Sequence, residues 1–283
     1  MRKLPIVALG LLLLVFTGIL SAASITIPAN LYGHFNQIGS GICEDANGNN
    51  FACGPVATAN SMMMLDNKYG SDLIGDQDGD FDVDDDDVGM VADTLSGLMG
   101  CAPCNGGTRV SDLINGKRQY LNANAPGMYY VHAQASPMFQ WFFDELTRGQ
   151  DIEVLVGFYN AQGNRIGGHY ITLNGISGMD MDNDGFLDNG ANMDFIDPSG
   201  GVDRNRSIYE FNNHTLGTDY NVGGERRDNR DRIRHCGKPR PGTGHGGPDA
   251  RGCTCAALDP SPKSCTLVSV FSNIKPSDCV AAV

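Results

Sequence analysis

The period of apolar and polar positions changes several times along this 283-residue chain, and each change marks an element. A continuous apolar run from Leu4 to Leu20 comes first. Ser24 to Phe35 has no helical period and predicts an extended opening segment. Ile38 to Ala52 is a Gly- and Asn-rich loop. Behind it, Val56 to Leu65 is rich in Ala and Met, without glycine, and predicts a helix beginning at Gly54. An Asp- and Gly-rich stretch then runs to about Asp87, and Val88 to Met99 predicts a second helix. Met138 to Thr147 carries Phe139, Trp141, Phe142, Phe143 and Leu146, which predicts a helix with an apolar core face. Ile152 to Tyr159 alternates and is rich in β-formers. A turn at Asn160 to Asn164 joins it to Ile166 to Ile176, so the pair reads as a hairpin. Further strands are predicted at Met193 to Ile196 and around Ser207 to Phe211. Gly237 to Gly252, rich in Gly and Pro, predicts a surface loop. Cys265 to Ile274 predicts a last strand that returns to the sheet. With no repeat and no linker, residues 24–283 read as one α+β domain.

The apolar run changes meaning with its flanks. Arg2 and Lys3 precede it and Ser21-Ala22-Ala23 follow, the form of a secretory signal peptide over residues 1–23. Export to a secreted or periplasmic location is expected, with no stable membrane span after cleavage. Removing Arg2 and Lys3 takes the formal charge from −13 to −15. That balance makes nucleic acid and anionic membrane surfaces poor partners.

Nine cysteines in an exported chain predict disulfides and, being odd in number, one free thiol. Cys53 is the expected free one. A structural bridge is expected for the Cys101-Ala102-Pro103-Cys104 pair, and Cys43 is close enough in sequence to bridge Cys53 and silence it. The last five cysteines, Cys236 to Cys279, make a Cys-rich C-terminal part.

Cys53-Gly54-Pro55 supplies the chemistry. A thiol at a helix start feels the positive end of the backbone dipole, which favours thiolate. Pro55 fits the first turn, where a missing N–H costs nothing. Downstream, His169 follows Gly167-Gly168 on a predicted strand and Asp197 precedes Pro198 at the end of another. A histidine so placed takes the thiol proton, and a carboxylate beyond it sets the imidazole tautomer.

These blocks, Cys53-Gly54-Pro55 heading a helix, Gly-Gly-His169-Tyr-Ile-Thr-Leu-Asn-Gly and Phe-Ile-Asp197-Pro-Ser-Gly-Gly, resemble papain-like cysteine peptidases. The nearest type is the bacteriocin-processing peptidase with its stand-alone secreted relatives. The resemblance spans roughly Gln37 to Gly201. It implies a nucleophile helix packed on an antiparallel sheet, with Cys53 as nucleophile and His169 as general base and then acid. It makes Asp197 the residue that orients His169, and Gln37 an oxyanion donor, although that glutamine usually sits nearer the cysteine. The implied partner is a protein or peptide substrate. The family's transporter-linked members cut leader peptides in the cytosol, and that substrate is not carried over to an exported chain.

Two aspartate clusters add a second expectation. Asp180, Asp182, Asp184 and Asp188 fit the first nine positions of a calcium loop of the EF-hand kind, with Gly185 at six and Leu187 at eight. Asp76, Asp78, Asp80, Asp84 and Asp87 fit a second loop, with Phe81 where glycine is expected. Structural calcium is expected over residues 76–87 and 180–191. The second reading of the whole is a calcium-stabilised surface or binding protein on an inactive peptidase fold. A transglutaminase- or amidase-type acyl transferase is the third.

Overall fold

The structure, a computed structural model, describes residues 23–45, 48–101, 107–159, 162, 164–179, 187, 190–210 and 216–220, and the backbone of 267–274. It is a mixed α/β fold with an open antiparallel sheet and, among the described residues, four α-helices. The helices are α1 (Cys53–Tyr69), α2 (Asp85–Leu98), α3 (Val110–Asn124) and α4 (Phe139–Thr147). The strands are β1 (Ala23–Thr26), β2 (Tyr129–Ala135), β3 (Asp151–Tyr159), β4 (Arg165–Gly178), β5 (Asn192–Asp197), β6 (Val202–Glu210), β7 (Leu216–Thr218) and β8 (Leu267–Ile274). Their order across the sheet is β2-β8-β3-β4-β5-β6-β7, and β1 pairs with the end of β4. The predicted hairpin is β3–β4, and the last strand does return, between β2 and β3. Among the described residues, no helix is long and apolar enough to cross a membrane. Residues 1–22 of the expected signal peptide lie outside the described residues; Ala23 opens β1 opposite Gly178.

Alternation along β3 explains how the sheet is covered on both sides. Ser61 of α1 hydrogen-bonds Asp151 and Glu153, and Thr172 on β4, opposite Glu153, donates to the Ala57 carbonyl at 2.7 Å. α1 therefore lies on that face. Val154 points the other way and meets Phe142 of α4, Leu173 and Met193 in an apolar layer. With both faces covered, β3 is buried almost throughout, as is α1 from Gly54 to Met62. Fully buried Met62, Met64 and Leu65 each contribute about 1.5–3 kcal/mol by leaving water.

Two elements escape the apolar pattern, and the reason is physical. In α3 the positions three or four apart run Leu113, Lys117, Tyr120, Leu121, so a lysine fills the central core position and breaks the apolar stripe. In β2 only the first half is buried, and the second half reads as a polar loop.

The disulfide expectation is corrected. Cys101 pairs with Cys43, Cα to Cα 5.9 Å, and not with Cys104, which lies outside the described residues. The end of α2 is what brings them together: the Cys101 N–H bonds the Ser96 carbonyl, and its Sγ lies 3.4 Å from the Phe51 carbonyl. Cys43 is thereby kept from Cys53, which is free. The bridge closes 58 residues of chain. The double variant Cys43→Ser/Cys101→Ser is expected to lose about 3–4 kcal/mol in denaturant melts, mainly through the freer unfolded chain. A loss below about 1 kcal/mol would show that the bridge closes no ordered loop.

Candidate active site

Cys53 is the first residue of α1, one position ahead of the predicted start. Ala52 before it has no capping side chain, so the first N–H groups of the helix point at the thiol end without a side-chain partner. Pro55 falls in this turn, and the first backbone bond closes from the Val56 N–H to the Ala52 carbonyl at 3.0 Å. Gly54 is required by close approach: a Cβ there would sit 2.9 Å from the Thr108 Cβ.

His169 stands on β4 and Asp197 at the end of β5, the next strand. His169 Nε2 bonds Asp197 Oδ1 at 2.8 Å, and both residues are buried. With Nε2 engaged, Nδ1 is the nitrogen left for the thiol. The thiol of Cys53 is half-buried. Burial pushes it up, but the hydrogen bond and charge of His169 and the N–H groups of Tyr170 and Gly54 outweigh that and bring it below an ordinary thiol. Burial works against charging His169 as well. Hydrogen bonds that the imidazolium donates to Asp197 and Cys53, and the charges of those two groups, overcome it and raise the imidazole to about 9. Both shifts favour a thiolate beside an imidazolium over the neutral pair.

Asp197 is fully buried, which raises its carboxyl, yet it is held below the usual range by His169, Tyr220 and the Ser199 N–H. Its Oδ1 accepts from Ser199 N–H at 2.8 Å in addition to His169. Its Oδ2 accepts from Arg204 Nε at 2.6 Å and Tyr220 O–H at 2.8 Å. Neither residue stands out in the sequence. Arg204 is one of several arginines, and Tyr220 falls in no predicted element, between the strand around Ser207 to Phe211 and the Gly- and Pro-rich loop. Only the pairing of β5 with β6, and of β6 with β7, brings them to the carboxylate.

Gln37 is placed beside this centre by its backbone. Its N–H bonds the Pro198 carbonyl at 2.9 Å, and its carbonyl receives Asn50 Nδ2 at 2.6 Å. Asn50 Oδ1 in turn takes the Ala52 N–H at 2.9 Å, so one side chain ties Gln37 to the start of α1. The segment before Gln37 also lies against the Asp197 turn, with Gly200 N–H on Asn36 Oδ1 at 2.9 Å. Gly201, at φ +61°, leaves no room for a Cβ, which would fall 2.0 Å from the His34 carbonyl oxygen. His34 joins Asp203 through Nε2 at 2.9 Å and Asp85 through its backbone N–H at 2.7 Å. The Gln37 Oε1 is buried and has no hydrogen-bond partner among the described residues.

The acidic loops divide. Asp76, Asp78 and Asp80 offer carboxylate oxygens within 4.8 Å of one another, all on exposed residues. Asp84 and Asp87, expected as ligands with them, are instead the capping box of α2. Asp84 accepts the Asp86 N–H, while Asp87 takes the N–H groups of Asp84, Gln77 and Asp78. A run of aspartates before an apolar helix satisfies its free N–H groups and its dipole, and that use takes precedence here. Asp180, Asp182, Asp184 and Asp188 lie outside the described residues.

No protein-family model matches the chain, and no curated protein matches it either.

Proposed function

We propose that this chain is an exported, papain-like cysteine peptidase that cleaves peptide bonds through a Cys53 thioester. The reading rests on one observation above the others. The free thiol at the start of a buried helix shares His169 with Asp197, whose carboxylate engages the far ring nitrogen at 2.8 Å. In this scheme the Cys53 thiolate attacks the substrate carbonyl, and the backbone N–H of Cys53 with Gln37 meets the developing oxyanion. The tetrahedral adduct collapses, His169 gives its proton to the leaving amine, and the acyl group stays on sulfur. His169 then takes a proton from water as it attacks the thioester, releasing the acid and the thiolate. The Cys43–Cys101 bridge supports an oxidising compartment.

The test is cleavage of a mixed peptide library, with new termini read by mass spectrometry and a primary amine offered in a parallel reaction. Peptide products that vanish in Cys53→Ala support the proposal. Amine incorporation without cleavage would assign an acyl transferase, and neither product would return the chain to a binding role.

Calcium at Asp76, Asp78 and Asp80 is part of the same proposal, in a structural role. The Asp80 N–H holds the Asp78 carboxyl down, but desolvation and the charges of Asp80, Asp87 and Asp76 outweigh it and push it up. A cation would relieve that crowding. Calcium at a hundredfold over its Kd is expected to add about 2–3 kcal/mol to stability. Melting with calcium and after EDTA checks this, with Asp78→Asn expected to remove the difference. An unchanged Tm in calcium-free protein would end the calcium assignment.

A further inference from the structure

We propose that Arg204 and Tyr220 are positioning residues that act on His169 through Asp197, a clamp that keeps this carboxylate ionised and the imidazole in one orientation. The inference rests on the peptidase reading only in taking the Cys53–His169 pair as the reacting centre.

A carboxylate has about four lone-pair positions, and each one that accepts an N–H or O–H is closed to a proton of its own. At Asp197 all four are taken: His169 and Ser199 on Oδ1, Arg204 and Tyr220 on Oδ2. Protonating Asp197 would therefore break a hydrogen bond inside a fully buried site and leave its donor unmet. His169 and Ser199 alone would leave Oδ2 open. The buried carboxyl would then have an unoccupied oxygen to protonate, and the charge that sustains the imidazolium would be lost.

Arg204 and Tyr220 act differently on this oxygen. Arg204 brings a full charge and stays partly open to solvent at 24 % side-chain exposure. Tyr220 brings a neutral donor and a wall. Its ring stacks on His169 at 6.0 Å between centroids and 25° between planes, and it is itself held edge-on by Phe195 at 5.1 Å. The imidazole thus has a carboxylate on Nε2 and an aromatic ring along one face, leaving one tilt that aims Nδ1 at Cys53. In its neutral form it carries its proton on Nε2, and the lone pair faces the thiol.

The test is the pH profile of Cys53 alkylation by iodoacetamide, which needs no substrate. It compares the wild type with Tyr220→Phe, Arg204→Lys and Arg204→Gln. In the wild type, labelling is expected to persist into the acid range. In Arg204→Gln the acid limb is expected to move up by about one pH unit, the scale of one charge-assisted hydrogen bond. Tyr220→Phe should move it the same way by less, and Arg204→Lys should restore most of the wild-type profile. A residue that served stability alone would change Tm and leave the limb in place. Unmoved limbs in folded Tyr220→Phe and Arg204→Gln overturn the clamp while leaving the peptidase reading intact. If Arg204→Gln does not fold, Tyr220→Phe, which removes a single oxygen, decides alone. A wild type that labels only at alkaline pH overturns the peptidase reading and the clamp with it.

Discussion

Cys53→Ala is expected to lower peptide cleavage by at least about 10⁴-fold, because the step that splits one barrier into two disappears with the sulfur. The Tm should stay close to that of the wild type, since the side chain is half-buried and loses one atom. His169→Ala is expected to be nearly as inactive, and its thiol shows why. Without the imidazole, Cys53 returns toward an ordinary thiol of about 8.5 and is ionised to only about three parts in a thousand at pH 6. Its alkylation rate should therefore fall at least about a hundredfold between pH 9 and pH 6, and the wild-type rate should fall by less over the same range. Comparing pH values within one variant removes differences in intrinsic nucleophilicity, which falls as a thiol becomes more acidic. On the alkaline side, cleavage should decline as pH passes about 9, where His169 loses the proton the leaving amine needs. A flat rate through that range would mean that His169 is not the acid. A Cys53→Ala protein that still cleaves would place the chemistry elsewhere.

Lys117→Met is expected to destabilise the fold by about 3–5 kcal/mol, because it removes the one cation from a dry cluster and leaves two carboxylates facing each other. Lys117 Nζ bonds Asp151 at 2.6 Å and both oxygens of Glu153 at 2.8 Å, with Ser61 completing the group and no solvent reaching any member. Two acids for one base is an unbalanced core, and Glu153 carries the imbalance. Burial raises its carboxyl, Lys117 pulls it back and Asp151 pushes it up again, to about 7. The folded state therefore holds this proton more tightly than the unfolded chain does. The stability that goes with it is fully present below about 4.5 and is lost as pH rises through about 7. The full swing is on the order of 3 kcal/mol. Glu153→Gln keeps one cation against one anion, so it is expected to flatten stability between pH 4.5 and 7 and to raise it at pH 8. Denaturant melts across that range read both effects. Lys117→Met with wild-type stability, or Glu153→Gln with the original slope, would show that the cluster is not charged as described.

How much of this was legible beforehand differs by element. α1, α4 and the β3–β4 hairpin were legible from composition and punctuation: an Ala- and Met-rich run without glycine, an aromatic-rich run, and two runs of β-formers joined by a turn. α3 was not, since Lys117 occupies a core position that only a carboxylate pair on a distant strand makes habitable. The same holds at the acidic segment. Five aspartates at ligand spacing read as one loop, yet Asp84 and Asp87 are drawn to the free N–H groups where the chain turns into α2. Spacing states which side chains could converge, while competition with the backbone states which do.

The chain order of Cys53, His169 and Asp197 was sufficient to pick out three side chains that the fold brings together. Local constraints carry that information: a helix start, a Gly-Gly turn into a strand, an Asp-Pro at a strand end. The partners that tune those groups needed the assembled sheet. Cys43 meets Cys101 because α2 turns back on the loop before Cys53. Arg204 and Tyr220 reach Asp197 because β6 and β7 follow β5 across the sheet. Such contacts join residues from 7 to 58 positions apart, and no local pattern records them. They form when strands and helices pack, since burying a charge or a thiol is tolerable only where the fold supplies its counterpart.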